Sequence, residues 1–242
     1  ITTTFAPFQT MRCCEQIKVN LGYMKNKVVM VGLASGLSLG ILGYTHCSIE
    51  DIGVLRSIPG ITIISPADSA STIKATFKAI EYDESIYMRL TGAVPNPPVY
   101  ADNFDFTIGK SNVIIDHGND IAIIACGSMV YNALEASKLL KNKHLQTTVI
   151  DMHTIKPVDE KALDRISKDF KLIVTVEEHN VIGGLGSAVA EYISGIKLSP
   201  PLLKIGIEDS YGDAGNYQTL LHKKKLMPHQ IYELINAKFN SI

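Results

Sequence analysis

Short apolar runs alternate with amphipathic stretches along almost the whole chain. KVVMVGL at 27–33, ITIIS at 61–65 and SIYMRL at 85–90 are apolar runs of strand length. A strand reads this way when helices cover both faces of its sheet. Residues 48–57 and 68–82 carry the wider spacing of helices with one apolar face. Ser48, with Asp51 three residues on, is close to a capping box, and Pro59-Gly60 stops that helix. Pro66, Ala67 and Asp68 open the next one. Strand–helix–strand order predicts right-handed crossovers and a parallel sheet.

Residues 91–105, TGAVPNPPVYADNFD, hold three prolines and no period, the pattern of a linker. A second alternating unit follows. Its strands are predicted at 111–115, 121–126, 147–151, 172–177 and 202–207, with helices at 129–140, 159–168, 186–193 and 228–239. The chain therefore divides into 1–105 and 106–242, two parallel-sheet α/β domains. The first has about three full strands plus a stub at 2–4, too few to cover a core. Its first strands are expected upstream of Ile1, on missing residues or a separate chain, so this domain is read as N-terminally truncated.

Composition narrows the function classes. Hydrophobic residues at 46% allow a sizeable core, and a net charge of -1 gives no support to nucleic-acid binding. No apolar run approaches the roughly 20 residues that span a bilayer. Cys13, Cys14, Cys47 and Cys126 form no CxxC pair and no zinc spacing, so no metal site is expected; they read as reduced thiols of a cytoplasmic protein.

Ligands of open α/β sheets bind beyond the carboxyl ends of strands. Three such ends carry candidate chemistry: Phe5 and Phe8 after the stub strand, the glycine-bearing loop SGLSLGILGYTH at 35–46, and Arg89. Two phenylalanines taken alone read as core residues; the alternative is stacking on a flat heteroaromatic ring. The loop lacks the Walker A and GxGxxG spacings, so a phosphate cradle is not indicated. His46 reads either as a hydrogen-bonded helix-start residue or as a donor or proton-transfer group.

TFAPFQTMRCCEQI, GYTHCSIEDIGVLRSIPGITIISPAD and YMRLTG occur in fixed order and resemble the pyrimidine-binding domain of the transketolase family, which includes deoxyxylulose-phosphate synthase. DIAIIACGSMVYNALEA, VIDMHTIKPVDEKAL and VTVEEHNVIGGLGSAVAE resemble that family's C-terminal domain. The resemblance implies a thiamine-diphosphate pyrimidine-binding domain at the start of the chain. The family's pyrimidine-activating glutamate would precede TTTFAPF, and its diphosphate and Mg2+ site would lie on a missing or partner domain. The expected partners are a second copy, in a homodimer, and an N-terminal subunit or domain carrying that site; neither membrane nor nucleic acid is implied.

By motif match, Phe5, Phe8 and Met11 fall on the ring-contacting positions, with Phe8 the main stacking face and Met11 where an aromatic is common. His46 falls on the substrate-facing histidine and is the catalytic candidate. Arg89 falls on an arginine that binds the sugar phosphate. Leu42 and Ala34 replace an acidic residue and a basic or histidine residue that grip hydroxylated sugars, which implies a less polar donor or an unusual sugar. Glu177, Glu178 and His179 look like a catalytic cluster, but the resemblance makes them structural, near domain contacts. The implied activity is two-carbon transfer from a ketose or ketose-like donor to an aldehyde. Alternatives are a 2-oxoacid dehydrogenase β-type subunit, a deoxyxylulose-phosphate-synthase-like enzyme, and a non-catalytic interaction or regulatory remnant.

Overall fold

A computed structural model of the chain describes residues 1–92, 94–101 and 103–242, so residues 93 and 102 of the expected linker lie outside the described residues. The strands are β1 (Thr2–Phe5), β2 (Val29–Leu33), β3 (Ile61–Ile64), β4 (Ser85–Arg89), β5 (Asn112–Asp116), β6 (Ile121–Ala125), β7 (Thr147–Asp151), β8 (Thr154–Lys156), β9 (Leu172–Asn180) and β10 (Leu202–Ile207). They build two five-stranded sheets, ordered β1-β2-β4-β3-β8 and β10-β9-β6-β7-β5. All neighbours run parallel except β8 on β3 and β5 on β7. The α/β class holds, and each sheet gains one antiparallel edge strand. β8 follows β7 after two residues and joins the first sheet, so the C-terminal half lends that sheet a strand. Three residues are too few to show a period, which is why the pattern missed it.

The helices are α1 (Ala6–Gln9), α2 (Cys14–Gln16), α3 (Asp51–Arg56), α4 (Ser69–Glu81), α5 (Met129–Lys141), α6 (Glu160–Asp169), α7 (Leu185–Ile193), α8 (Tyr217–Lys223) and α9 (Pro228–Phe239). The expected first helix is broken: a 3₁₀ turn at Met11–Cys13 separates α1 from α2, and a wide π turn follows at Ile17–Tyr23. Asp68 caps α4: its Oδ1 accepts from the Ser71 amide at 2.8 Å, and Ser71 Oγ accepts from the Asp68 amide at 2.9 Å. The box anticipated at Ser48 is absent, because α3 starts at Asp51 and the Asp51 carboxylate turns into the core.

One hydrophobic cluster runs through both halves. Ile17, Leu21, Met30, Ile63 and Tyr87 share it with Ile150, Ile155, Leu163 and Leu185. Each fully buried aliphatic side chain contributes on the order of 1.5–3 kcal/mol, so this shared core outweighs the single polar contacts between the halves. Parallel register aligns Phe5 with Leu33 and Gly32 with Arg89. The candidate residues of three strands therefore meet at one edge of the first sheet.

Candidate active site

Phe5 ends β1 and is 39% exposed; Phe8 lies half-buried in α1, where Pro7 fits the first turn. The chain turns sharply enough there to bring the rings to 6.2 Å between centroids, tilted by 58°. His46 joins them edge-to-face, 5.3 Å from Phe8 and 6.3 Å from Phe5. The result is an open aromatic corner with one titratable edge. The Arg12 guanidinium lies 4.1 Å over the Phe8 ring. Sequence reasoning missed it, although the four-residue spacing from Phe8 along a helical stretch was the signal.

His46 is delivered by the loop 35–46. Its neck is closed by two hydrogen bonds between Gly36 and Ser48, each 2.9 Å. Gly36 takes φ +65°, and a Cβ there would collide with the Glu178 carboxylate, so the position requires glycine. Near the tip the His46 amide donates to Gly43 O at 3.0 Å. The Thr45 hydroxyl donates to Leu42 O at 3.4 Å and lies 3.0 Å from His46 Nδ1. With that proton on Leu42 O, Thr45 Oγ1 accepts from Nδ1–H, which leaves the lone pair on His46 Nε2.

Arg89 is not where the substrate reading needs it. It is 4% exposed; its Nε donates to Asp51 Oδ2 at 2.9 Å, and its Nη2 donates to Ser48 O at 3.0 Å and Glu178 O at 2.9 Å. Tyr87 OH donates to the same Asp51 oxygen at 2.6 Å. A guanidinium committed to a buried carboxylate and two carbonyls holds the fold and does not reach a substrate anion. Met11 is half exposed on the turn beyond Phe8. Ala34 is buried at φ +53°, whereas Leu42 and its neighbour Ile41 are exposed on the 3₁₀ turn ahead of His46.

Residues 1–93 match the family model described as transketolase, pyrimidine binding domain, and residues 109–231 match transketolase, C-terminal domain. The chain belongs to the transketolase family. It is 42% identical over 212 residues to one of the two-part apulose-4-phosphate transketolase's subunits from Phocaeicola vulgatus, covering 87% of this chain and 67% of that protein. It is 36% identical over 230 residues to 6-deoxy-6-sulfo-D-fructose transketolase subunit SqwH of Clostridium sp., covering 95% and 70%. A solved structure described as a split-gene transketolase, an inactive beta4 tetramer, superposes with a TM-score of 0.87 at 33% identity, covering 98% of this chain and 74% of that one. This transketolase chain thus corresponds to the C-terminal part of a thiamine-diphosphate-dependent transferase.

The coenzyme's flat pyrimidine suits the open Phe5–Phe8 corner, which offers apolar ring surface at a strand end. Among the described residues, no three His, Cys, Asp or Glu side chains gather in metal-holding geometry. The corner therefore fits the ring end of the coenzyme and not its diphosphate.

The remaining buried ionisable groups of this transketolase are structural. Glu177 accepts from the Leu185 and Gly186 amides at 2.7 and 2.8 Å; burial pushes it up to about 7. His179 donates from Nδ1 to Asn180 O at 2.7 Å and accepts from the Gly53 amide at Nε2. That pairing fixes the neutral tautomer, and burial lowers its pKa to about 4. Asp151, bonded to Tyr100 OH at 2.7 Å, is pushed up to about 8 by burial. His153, stacked on Phe106, is lowered to about 4 by burial. Burial, with Glu178 and Glu50 adding repulsion, raises Cys47 to about 11 and keeps it a thiol beside His46.

Proposed function

We propose that this chain supplies the pyrimidine wall and the substrate-facing histidine of an enzyme transferring a two-carbon unit from a ketose or ketose-like donor to an aldehyde. The observation that carries the reading is the Phe5–Phe8–His46 corner at the carboxyl end of β1. Phe8 is the main stacking face, Phe5 guards its edge, and Met11 is a soft third contact. His46 Nε2, as the lone-pair nitrogen, accepts a substrate hydroxyl proton or holds one in transfer. Thiamine diphosphate, when bound, supplies the carbanion chemistry that breaks and forms the carbon–carbon bond. Residues 1–105 act as the pyrimidine-binding unit and 106–242 as the C-terminal unit. An N-terminal subunit or domain holds the diphosphate and Mg2+, and the chain pairs with a second copy. Four free cysteines suit a reducing, cytoplasmic compartment.

A second reading, a 2-oxoacid donor, draws on the exposed Ile41 and Leu42 ahead of His46. The test is reconstitution of the chain with a polypeptide carrying the diphosphate domain, followed by calorimetric titration with coenzyme and Mg2+ and an assay of two-carbon transfer. Saturable binding with ketose-dependent transfer is expected, with transfer reduced at least tenfold in His46→Ala. Transfer unchanged by His46→Ala would overturn the role of that residue. Turnover of 2-oxoacids alone would replace the first reading by the second.

A further inference from the structure

Glu178 is 2% exposed, yet its carboxylate collects donors from three separate elements. Oε1 accepts from the Leu37 amide at 2.6 Å. Oε2 accepts from Ser128 Oγ at 2.5 Å, just before α5, and from Tyr217 OH at 2.7 Å, in α8. Ser128, Glu178 and Tyr217 all belong to the C-terminal half; Leu37 belongs to the loop that ends in His46. The Leu37 amide lies directly after Gly36, so the carboxylate grips the loop at its closed neck. A second contact holds its middle: the Gly215 amide donates to Gly40 O at 2.9 Å, and Tyr44 packs edge-to-face on Tyr211 at 5.2 Å.

We infer that Glu178 is a positioning residue for His46: the C-terminal half clamps the loop 36–46 through this carboxylate and so sets the imidazole against Phe5 and Phe8. A carboxylate that only joined the two halves would be satisfied by Ser128 and Tyr217 from its own half, without the loop amide. The lever is short. Leu37 to His46 spans one loop, and the Gly36–Ser48 bridge returns the chain to within two residues of His46. Release of the neck frees both ends of that loop together. The functional weight of the clamp rests on the reading of His46 as the substrate-facing side chain. Its test reads where His46 sits in the coenzyme-free chain, so either can fail without the other.

The experiment is NMR of the full chain with ring-labelled histidine, His46 assigned among the seven histidines by His46→Gln. Ring currents from Phe5 and Phe8 shift the His46 signal while the corner is assembled. In Glu178→Ala the signal should move to the position of a solvent-exposed imidazole, with amides 37–46 exchanging at least tenfold faster. His222, His229 and the amides of α5 should be unchanged. Glu178→Gln should restore the wild-type spectrum, because its oxygen accepts from Leu37 while its NH2 donates to the two hydroxyls. If Glu178→Ala does not fold, Gly36→Ala decides, since its Cβ pushes the carboxylate off the Leu37 amide and should displace the His46 signal in the same way. An unmoved His46 signal with unchanged loop exchange, in whichever of these two variants folds, overturns the inference.

Discussion

Phe8 has the Arg12 guanidinium over its ring and His46 edge-to-face beside it, so most of its surroundings are provided before any ligand arrives. A ring held in this way is a rigid stacking surface, and rigidity lowers the entropy cost of binding. In the reconstituted enzyme, Phe8→Ala should weaken coenzyme binding by about 1–3 kcal/mol, and Phe5→Ala by less. An unchanged dissociation constant in calorimetry for Phe8→Ala would make that ring simple core. Arg89 belongs to a different kind of site. Arg89→Met strands the buried Asp51 carboxylate and should cost about 3–5 kcal/mol in urea unfolding, while the donor KM of the folded fraction stays within twofold. A large KM increase without loss of stability would return Arg89 to the substrate. Asp151 makes stability depend on pH in a defined sense. Its pKa is raised from 3.8 to about 8 on folding, so its contribution is complete below about pH 4 and is lost as pH rises through 8. Asp151→Asn keeps an acceptor for Tyr100 and removes that slope. Wild type should therefore lose stability relative to the variant by up to about 1.4 kcal/mol per pH unit between pH 4 and 8. Parallel unfolding curves at pH 5 and pH 8 would show that Asp151 does not titrate on folding.

At the scale of elements, most of the architecture was legible because apolar strands and one-sided helices have distinct periods. β7, β10 and α9 fall within the bounds that the pattern gives. What was hidden lacked length or depended on distant partners. β8 is three residues, and its place is set by pairing with β3. Asp51 looks like a first-turn helix residue and Arg89 like a strand-end cation, and only folding reveals them as partners. Phe5, Phe8 and His46 were legible by motif, but their meeting depends on the parallel register of β1 on β2 and on the course of the loop. Asp68 shows one residue serving two elements. Besides capping α4, its Oδ2 accepts from the Val99 and Tyr100 amides at 2.8 and 2.9 Å, which ties the connecting segment to the helix. Asp68→Ala should therefore cost about 2–4 kcal/mol, more than a lost cap alone, with Asp68→Asn in between. A loss below roughly 0.5 kcal/mol, measured by urea unfolding, would show that water replaces all of these contacts.

Across the whole molecule, the open aromatic corner, the exposed rim around it and the position of Arg89 together constrain the donor. A hydroxyl-rich ketose needs a partner for each buried hydroxyl, and an unpaired one costs about 1–3 kcal/mol. Near His46 this chain presents Ile41 and Leu42 to solvent, and the Thr45 hydroxyl is already engaged with Leu42 O and His46. The buried Arg89 is not free to hold a phosphate at this edge, so an anionic group of the donor must be met elsewhere in the assembly. Selectivity should then favour donors with fewer hydroxyls or with altered geometry at the position facing Leu42. The relatives named for apulose 4-phosphate and 6-deoxy-6-sulfo-fructose accord with sugars outside the common pentose phosphates. The expected outcome for the reconstituted enzyme is a kcat/KM for xylulose 5-phosphate at least tenfold below that of the best deoxy- or branched-ketose donor. Leu42→Asp, which restores an acceptor on the rim, should narrow the gap from the xylulose 5-phosphate side by lowering its KM. A donor panel in which xylulose 5-phosphate leads by tenfold, or in which Leu42→Asp changes nothing, would show that the rim does not choose the donor and that contacts from outside this chain do.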